Sequence, residues 1–210
     1  MRTLIKRLAE FSYWTVRRIR EGTLSNAHYE FLYTDHFHLD RTFYKGKRIL
    51  DVGCGPRGSL EWAADAAERV GLDPLAAGYL RLGAQAHRMA YVSAPAEQMP
   101  FPDGHFDVVS SFNSLDHVDR LDDAIGEIRR VLADGGVLLL VTDVNHKPTV
   151  TEPITFDWDI VDRFAPMRVV RSARYEKAVS GMYESLVRAE PYDEANPAPR
   201  YGVLSALLAG

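Results

Sequence analysis

The residues with most chemistry in the least space are Ile49–Gly58, ILDVGCGPRG. Asp51 lies two positions ahead of Gly53, and Gly53, Gly55 and Gly58 follow the G-x-G-x-x-G spacing. Glycines at such a turn let a ligand approach the backbone closely. Asp73 stands twenty positions after Gly53. At the end of a neighbouring strand, such a carboxylate accepts hydrogen bonds from both hydroxyls of a ribose. These features describe a site for an adenosine-like molecule and leave a nicotinamide dinucleotide open. Asp51 shifts the balance, because a carboxylate there repels a pyrophosphate and suits a cationic ligand. Pro56-Arg57 fills the space that a dinucleotide site keeps small. S-adenosyl-L-methionine, with a ribose, an adenine, a sulfonium and an ammonium, meets these demands. Cys54 reads as a small space-filler within the loop.

A second group is Asn113-Ser114-Leu115-Asp116-His117-Val118. His117 titrates near neutrality and suits proton removal from an oxygen or nitrogen nucleophile, with Asp116 the weaker candidate. His146 and the aromatic, histidine-rich stretch from His28 to His38, notably Tyr33, His36 and His38, are candidates to touch substrate from a lid. An oxygen-ligated cation on Asp116, Asp143 and Asn145 is the metal arrangement to test; the spacing lacks an adjacent Asp-Asn pair, so no metal is expected.

The 210 residues are 46% hydrophobic and 26% charged, a globular composition sized for one domain. A formal net charge of −4 and no long basic tract give no strong nucleic-acid signal. The single cysteine excludes an internal disulfide and fits a reducing, cytoplasmic setting. No secretory signal and no transmembrane segment are expected.

The elements that must position these residues are read from periodicity. Residues 2–21 form a helix with Leu4, Leu8, Phe11 and Thr15 on one face, Ile5 and Ile19 adjoining, and Arg2, Lys6, Arg7, Arg17, Arg18 and Arg20 on the other. Such a basic amphipathic helix packs on the domain as a cover, or lies on a membrane or acidic partner. Strands are expected at 48–52, 69–73, 90–93, 106–112 and 137–142, the last buried on both faces of a parallel sheet. Helices are expected at 59–68, 75–87, 121–132 and 158–164, with Asp134-Gly135-Gly136 ending the third. Residues 168–177 and 181–189 read as an antiparallel pair, and 191–199 as a loop.

Asp51-Val52-Gly53-Cys54-Gly55 resembles motif I of class I S-adenosylmethionine-dependent methyltransferases, of the small "methyltransferase type 11"-like kind. Val70–Pro74, Ala96–Val109 with its PFPD…FD element, and Leu132–Gly136 are similar to later motifs in the same order. The resemblance covers residues 46–145. It implies an α/β fold: a doubly wound, mostly parallel, seven-stranded Rossmann-like sheet with a C-terminal antiparallel hairpin and an N-terminal helical lid. It also implies that Asp51, Gly53, Cys54, Gly55, Asp73, Pro74, Ala96, Glu97 and Asn113 hold the cofactor. Within that set Glu97 meets the adenine amino group, and the backbone at Asn113 faces the methionine end. On this basis residues 1–45 are a lid segment, 46–190 the cofactor-binding domain and 191–210 a tail, within one domain overall. The implied activity is methyl transfer to oxygen or nitrogen of a small-molecule acceptor. Methylation of RNA or protein, a non-catalytic cofactor-binding subunit and a homodimer are kept as alternatives or additions.

Overall fold

The computed structural model describes residues 2–210, without the side chains of residues 2–4 and 27–29. The faces expected for Arg2 and Leu4, and the roles of His28 and Tyr29, therefore lie outside the described side chains.

Seven strands form one sheet: β1 (Arg48–Val52), β2 (Glu68–Leu72), β3 (Ala90–Val92), β4 (Phe106–Phe112), β5 (Leu132–Val144), β6 (Arg168–Glu176) and β7 (Gly202–Ala209). Their order is β3-β2-β1-β4-β5-β7-β6. The first five run parallel, and β7 is antiparallel to both β5 and β6. The order reverses at β1, so the carboxyl ends of β1 and β4 open a crevice. This is the mostly parallel, seven-stranded Rossmann-like sheet that the sequence implied.

Pleating sends Leu50 and Val52 of β1 to one face and Ile49 to the other. The first face is covered by α3 (Leu121–Val131), whose Leu121, Ala124, Ile125, Ile128 and Val131 form a buried stripe. The second is covered by Tyr33, Phe37 and Tyr44 from the N-terminal segment and by Met182 and Leu186 of α4 (Met182–Arg188).

Several elements depart from expectation. Residues 59–67 form successive tight turns, with Glu61 N–H donating to Gly58 and Ala63 N–H to Leu60, and Glu68 already begins β2. Bonds to the preceding segment, Gly46 N–H to Asp65 and Ala67 N–H to Lys47, occupy backbone groups that a helix would use. The helix expected at 75–87 shortens to α2 (Ala76–Arg81) and a 3₁₀ turn at Ala84–Ala86, because Gly83 adopts φ +107° between them. Residues 158–164 are 3₁₀ helix.

The strand expected at 181–189 is α4. Met182, Ser185 and Leu186 are its buried positions, an i, i+3, i+4 set. The antiparallel partner of β6 is instead β7, within the stretch taken as a tail. Leu121–Val131 ends one residue early, and β5 starts immediately, carrying Asp134-Gly135-Gly136 through a break in register between Phe106 and Val108 of β4. The N-terminal helix, α1 (Arg2–Glu21), spans the residues expected of it. Among the described residues no helix is long and apolar enough to cross a membrane.

Candidate active site

The loop after β1 is shaped by its glycines. Gly53 has φ +76°, and a Cβ there would stand 2.2 Å from Cβ of Ser114. Its N–H donates to Leu72 of β2 at 2.8 Å, which pins the turn to the sheet. Gly55 also lies in the left-handed region, at φ +56°. Cys54 is buried with its thiol pushed well above the ordinary range, chiefly by burial, and its Sγ fills the space beside Gly71, where a Cβ would meet it at 2.5 Å. It is therefore a packed neutral thiol, as a space-filler would be.

Asp51 points to the face opposite Leu50 and Val52. It is buried and accepts hydrogen bonds from Ser110 at 2.6 Å, from Ser59, and from the Tyr33 hydroxyl at 3.4 Å. Burial pushes its pKa up to about 6, against the pull of those donors. Asp73 is buried at the end of β2, accepting from Leu75 N–H at 2.8 Å and Gly55 N–H at 3.3 Å. Burial, and secondarily the nearby Glu10 carboxylate, push it up to about 7.

Two adjoining hollows open on this loop. The smaller, of about 120 Å³, is walled by Val52, Leu72, Pro74, Ala96 and Glu97. The larger, of about 640 Å³, is walled by Tyr13, Trp14, Phe112, Tyr183 and Glu152. Gly53, Asp73, Asn113 and His117 belong to both, as does Glu10 of α1. Helix α1 thus roofs the crevice. It is fastened by Trp14 against Tyr79, with ring centroids 6.4 Å apart, by the Arg57 guanidinium 5.3 Å from the Trp14 ring, and by Arg18 donating to the Leu82 carbonyl at 2.8 Å.

Past β4 the backbone turns through Asn113 at φ +52°, a conformation Asn tolerates better than most residues. The next turn places His117 Nε2 3.9 Å from Asp116 Oδ1 and 3.9 Å from Glu152 Oε1. His146 Nε2 lies 3.9 Å from the other Asp116 oxygen. Asp116 is 1% exposed, and burial, ahead of all other influences, raises its pKa. Asn113 Oδ1, Asp116 Oδ1, His117 Nδ1 and His146 Nε2 are buried with no hydrogen-bond partner among the described residues. Buried polar atoms are nearly always satisfied, so the orphans on Asn113 and His117, which wall the hollows, are placed to bond a ligand, while those on Asp116 and His146 lie behind them.

Of the residues expected to hold a cofactor, Gly53, Asp73, Pro74, Ala96, Glu97 and Asn113 wall the smaller hollow, and Cys54 and Gly55 the larger. Glu97 Oε1 accepts the N–H groups of Asp119 and Arg120 at 2.7 and 3.2 Å, so it also ties its loop to the start of α3. Asp51 acts from beneath the loop rather than on its surface. Tyr33 is a correction to the lid reading: it packs between Phe112 and Trp62, at 4.6 and 5.7 Å, and touches Asp51 from within the core. His36 and His38 are a second correction. They line a separate hollow against β6 and β7, where His36 Nε2 bonds Ser205 at 2.7 Å. Burial there lowers the His36 pKa to about 4. His146 is buried behind Asp116 rather than exposed on a lid.

For a metal, Asp143 is held by Lys177, which removes it from the set considered from sequence. Asp116, His117 and Glu152 each offer one ligand atom, all within 4.8 Å of one another. Glu152, Glu10, Trp14 and Tyr183, with Lys6 and Arg7, are among the wall residues that sequence reasoning missed. Glu10 and Trp14 sit on a helix read mainly for its charge, and Glu152 sits in an irregular segment with no periodicity.

Residues 50–140 match the family model described as a methyltransferase domain. The chain carries a class I methyltransferase domain. It is 32% identical over 150 residues to a fatty-acid O-methyltransferase of Mycolicibacterium smegmatis, covering 68% of this chain and 52% of that protein. It is 32% identical over 169 residues to a sterol 24-C-methyltransferase of Eremothecium gossypii, covering 74% and 45%. The chain thus spans about half the length of the curated relatives it matches. The methyltransferase fold is also seen in an S-adenosylmethionine-dependent methyltransferase from Mesorhizobium loti, with a TM-score of 0.60, 16% identity, and coverage of 83% and 94% of the two chains.

Proposed function

We propose that this chain binds S-adenosylmethionine in the crevice beneath α1 and methylates an oxygen of a small, lipophilic acceptor. The observation that carries the reading is the placement of His117 on a wall shared by two hollows, both of them also lined by the buried carboxylate of Asp73. The site fits the cofactor on its own chemistry. Asp73 faces both hollows as a ribose acceptor, and the unpartnered Asn113 Oδ1 awaits a donor such as an ammonium.

The cofactor supplies an activated methyl group on a cationic sulfur. The chain's residues must then align the acceptor and remove its proton. His117 takes that proton on its ring, and the imidazolium so formed lies 3.9 Å from carboxylate oxygens of Asp116 and Glu152, which stabilise it. Glu97, Ala96 and Val118 wall the smaller hollow and would border the adenine, and Asp51 keeps the loop in shape through Ser59 and Ser110.

The larger hollow suits an acceptor with an apolar part and an ionisable oxygen, since Tyr13, Trp14, Phe112 and Tyr183 give it aromatic walls among polar ones such as Arg57, Asn113 and Glu152. The relatives' names support this class, a fatty acid in one and a sterol in the other. The names give oxygen in one and carbon in the other; oxygen is the preferred assignment because His117 stands where it can take the hydroxyl proton, carbon is the second and nitrogen the weakest. Incubation with labelled cofactor and a panel of long-chain acids, phenols and sterols, read by mass spectrometry, tests the reading. Methylation at an oxygen of one class supports it. Transfer only to RNA or protein, or product-cofactor binding with no transfer to any acceptor, replaces it with one of the alternatives.

A further inference from the structure

Helix α1 is amphipathic, but its apolar side does not face the protein. Ile5, Leu8, Val16 and Ile19 are all exposed, Leu8 by 58% and Ile19 by 77%. At 100° per residue they occupy roughly a quarter of the helix circumference. The side turned to the domain carries Glu10, Phe11, Trp14 and Arg18, which meet Tyr79, Gly78, Arg57 and the Leu82 carbonyl. A surface helix ordinarily buries its apolar stripe and exposes its charges. Here the folded domain is satisfied by the polar and aromatic side, and the aliphatic stripe is exposed among the described residues.

The charge of the helix says what covers that stripe. Six basic and two acidic residues give α1 a net +4, on a chain of net −4; Lys6 and Arg7 border the smaller hollow, Arg17 pairs with Glu21 and Arg18 with the Leu82 carbonyl, so Arg20 is the cation set beside the stripe among the described side chains. Arg20, also exposed, lies next to Ile19, and Tyr13 flanks the stripe at 55% exposure. An aliphatic strip with cationic and aromatic borders matches the interface of an anionic bilayer, where chains bury in the acyl boundary and basic groups meet lipid phosphates. A second copy of this helix would bring +4 against +4.

We infer that the outer face of α1 is a docking surface for anionic membranes, which lays the roof of the crevice against the bilayer. The inference does not depend on methyl transfer, and vesicle binding reads it directly. The whole chain is sedimented with phosphatidylcholine vesicles, with and without phosphatidylglycerol, and its mass in solution is measured by light scattering. The expected result is partitioning to the anionic vesicles at least about tenfold above the neutral ones, weakening as salt is raised. The variant Leu8→Ser/Ile19→Ser, which keeps every charge, is expected to lose at least about tenfold of that binding with an unchanged melting temperature. Equal binding to both vesicle types, no binding, or full binding by the variant overturns the inference. A wild-type dimer that the variant abolishes, without vesicle binding, assigns the stripe to a second copy instead.

Discussion

The hydroxyl of Ser114 donates to the Val52 carbonyl at 2.8 Å, and its Cβ occupies the space that any side chain at Gly53 would need. The end of β4 is thereby locked against the end of β1 at the point where the two hollows meet. Gly53→Ala faces both the 2.2 Å overlap and a positive φ. It is expected to cost roughly 1–3 kcal/mol of stability, measured by denaturant unfolding, and to weaken S-adenosylhomocysteine binding in calorimetry.

Asp73 gives a pH dependence with a definite sign. Its pKa of about 7 in the folded chain lies above the usual carboxylate value, so between about pH 4 and 7 the folded state binds more protons than the unfolded one. Asp51, at about 6, adds to this. The ligand-free protein should therefore lose stability as pH rises through that window. Affinity for the product cofactor should move the other way, rising toward a plateau above about pH 7, because the ionised carboxylate is the better ribose acceptor. Thermal melts and titration calorimetry from pH 5 to about 8.5 check both slopes, and Asp73→Asn should flatten the second.

His117→Ala should lower kcat by about 10²–10⁴-fold while changing cofactor affinity little. Glu152→Gln removes one of the two carboxylates beside the ring and should produce a smaller loss in kcat, measured at saturating cofactor. An unchanged kcat in His117→Ala would mean that alignment alone carries the step.

Dialysis against a chelator should leave turnover unaltered if the Asp116–His117–Glu152 group works as a base with its carboxylates. Restoration of lost turnover by a divalent ion would reassign the three residues as its ligands.

Much of the sheet was legible because it is local: β1 and β4 are short apolar runs ended by turn residues, and Asp51, Gly53 and Asp73 follow a spacing that the β1–β2 unit imposes. What escaped depended on the far chain. Met182, Ser185 and Leu186 carry a helical period within only seven residues, short enough to be taken for alternation. GVLSALLA became a central strand because β5 and β6 both pair with it, a fact no window of eight residues contains. His36 and His38 looked chemical by type, yet the turn at His38 carries them to the β6–β7 side. Glu152 became a site residue only when its irregular loop folded back over His117.

Cys54 is the only thiol in the chain, and it is sealed between the loop after β1 and the backbone of Gly71. The loop shields its thiol from an alkylating dye, and the larger hollow that Cys54 borders is the remaining way in. The speed of its labelling is thus a clock for breathing of the nucleoside cradle, readable on the unmodified polypeptide and slowed by whatever molecule clamps the loop shut.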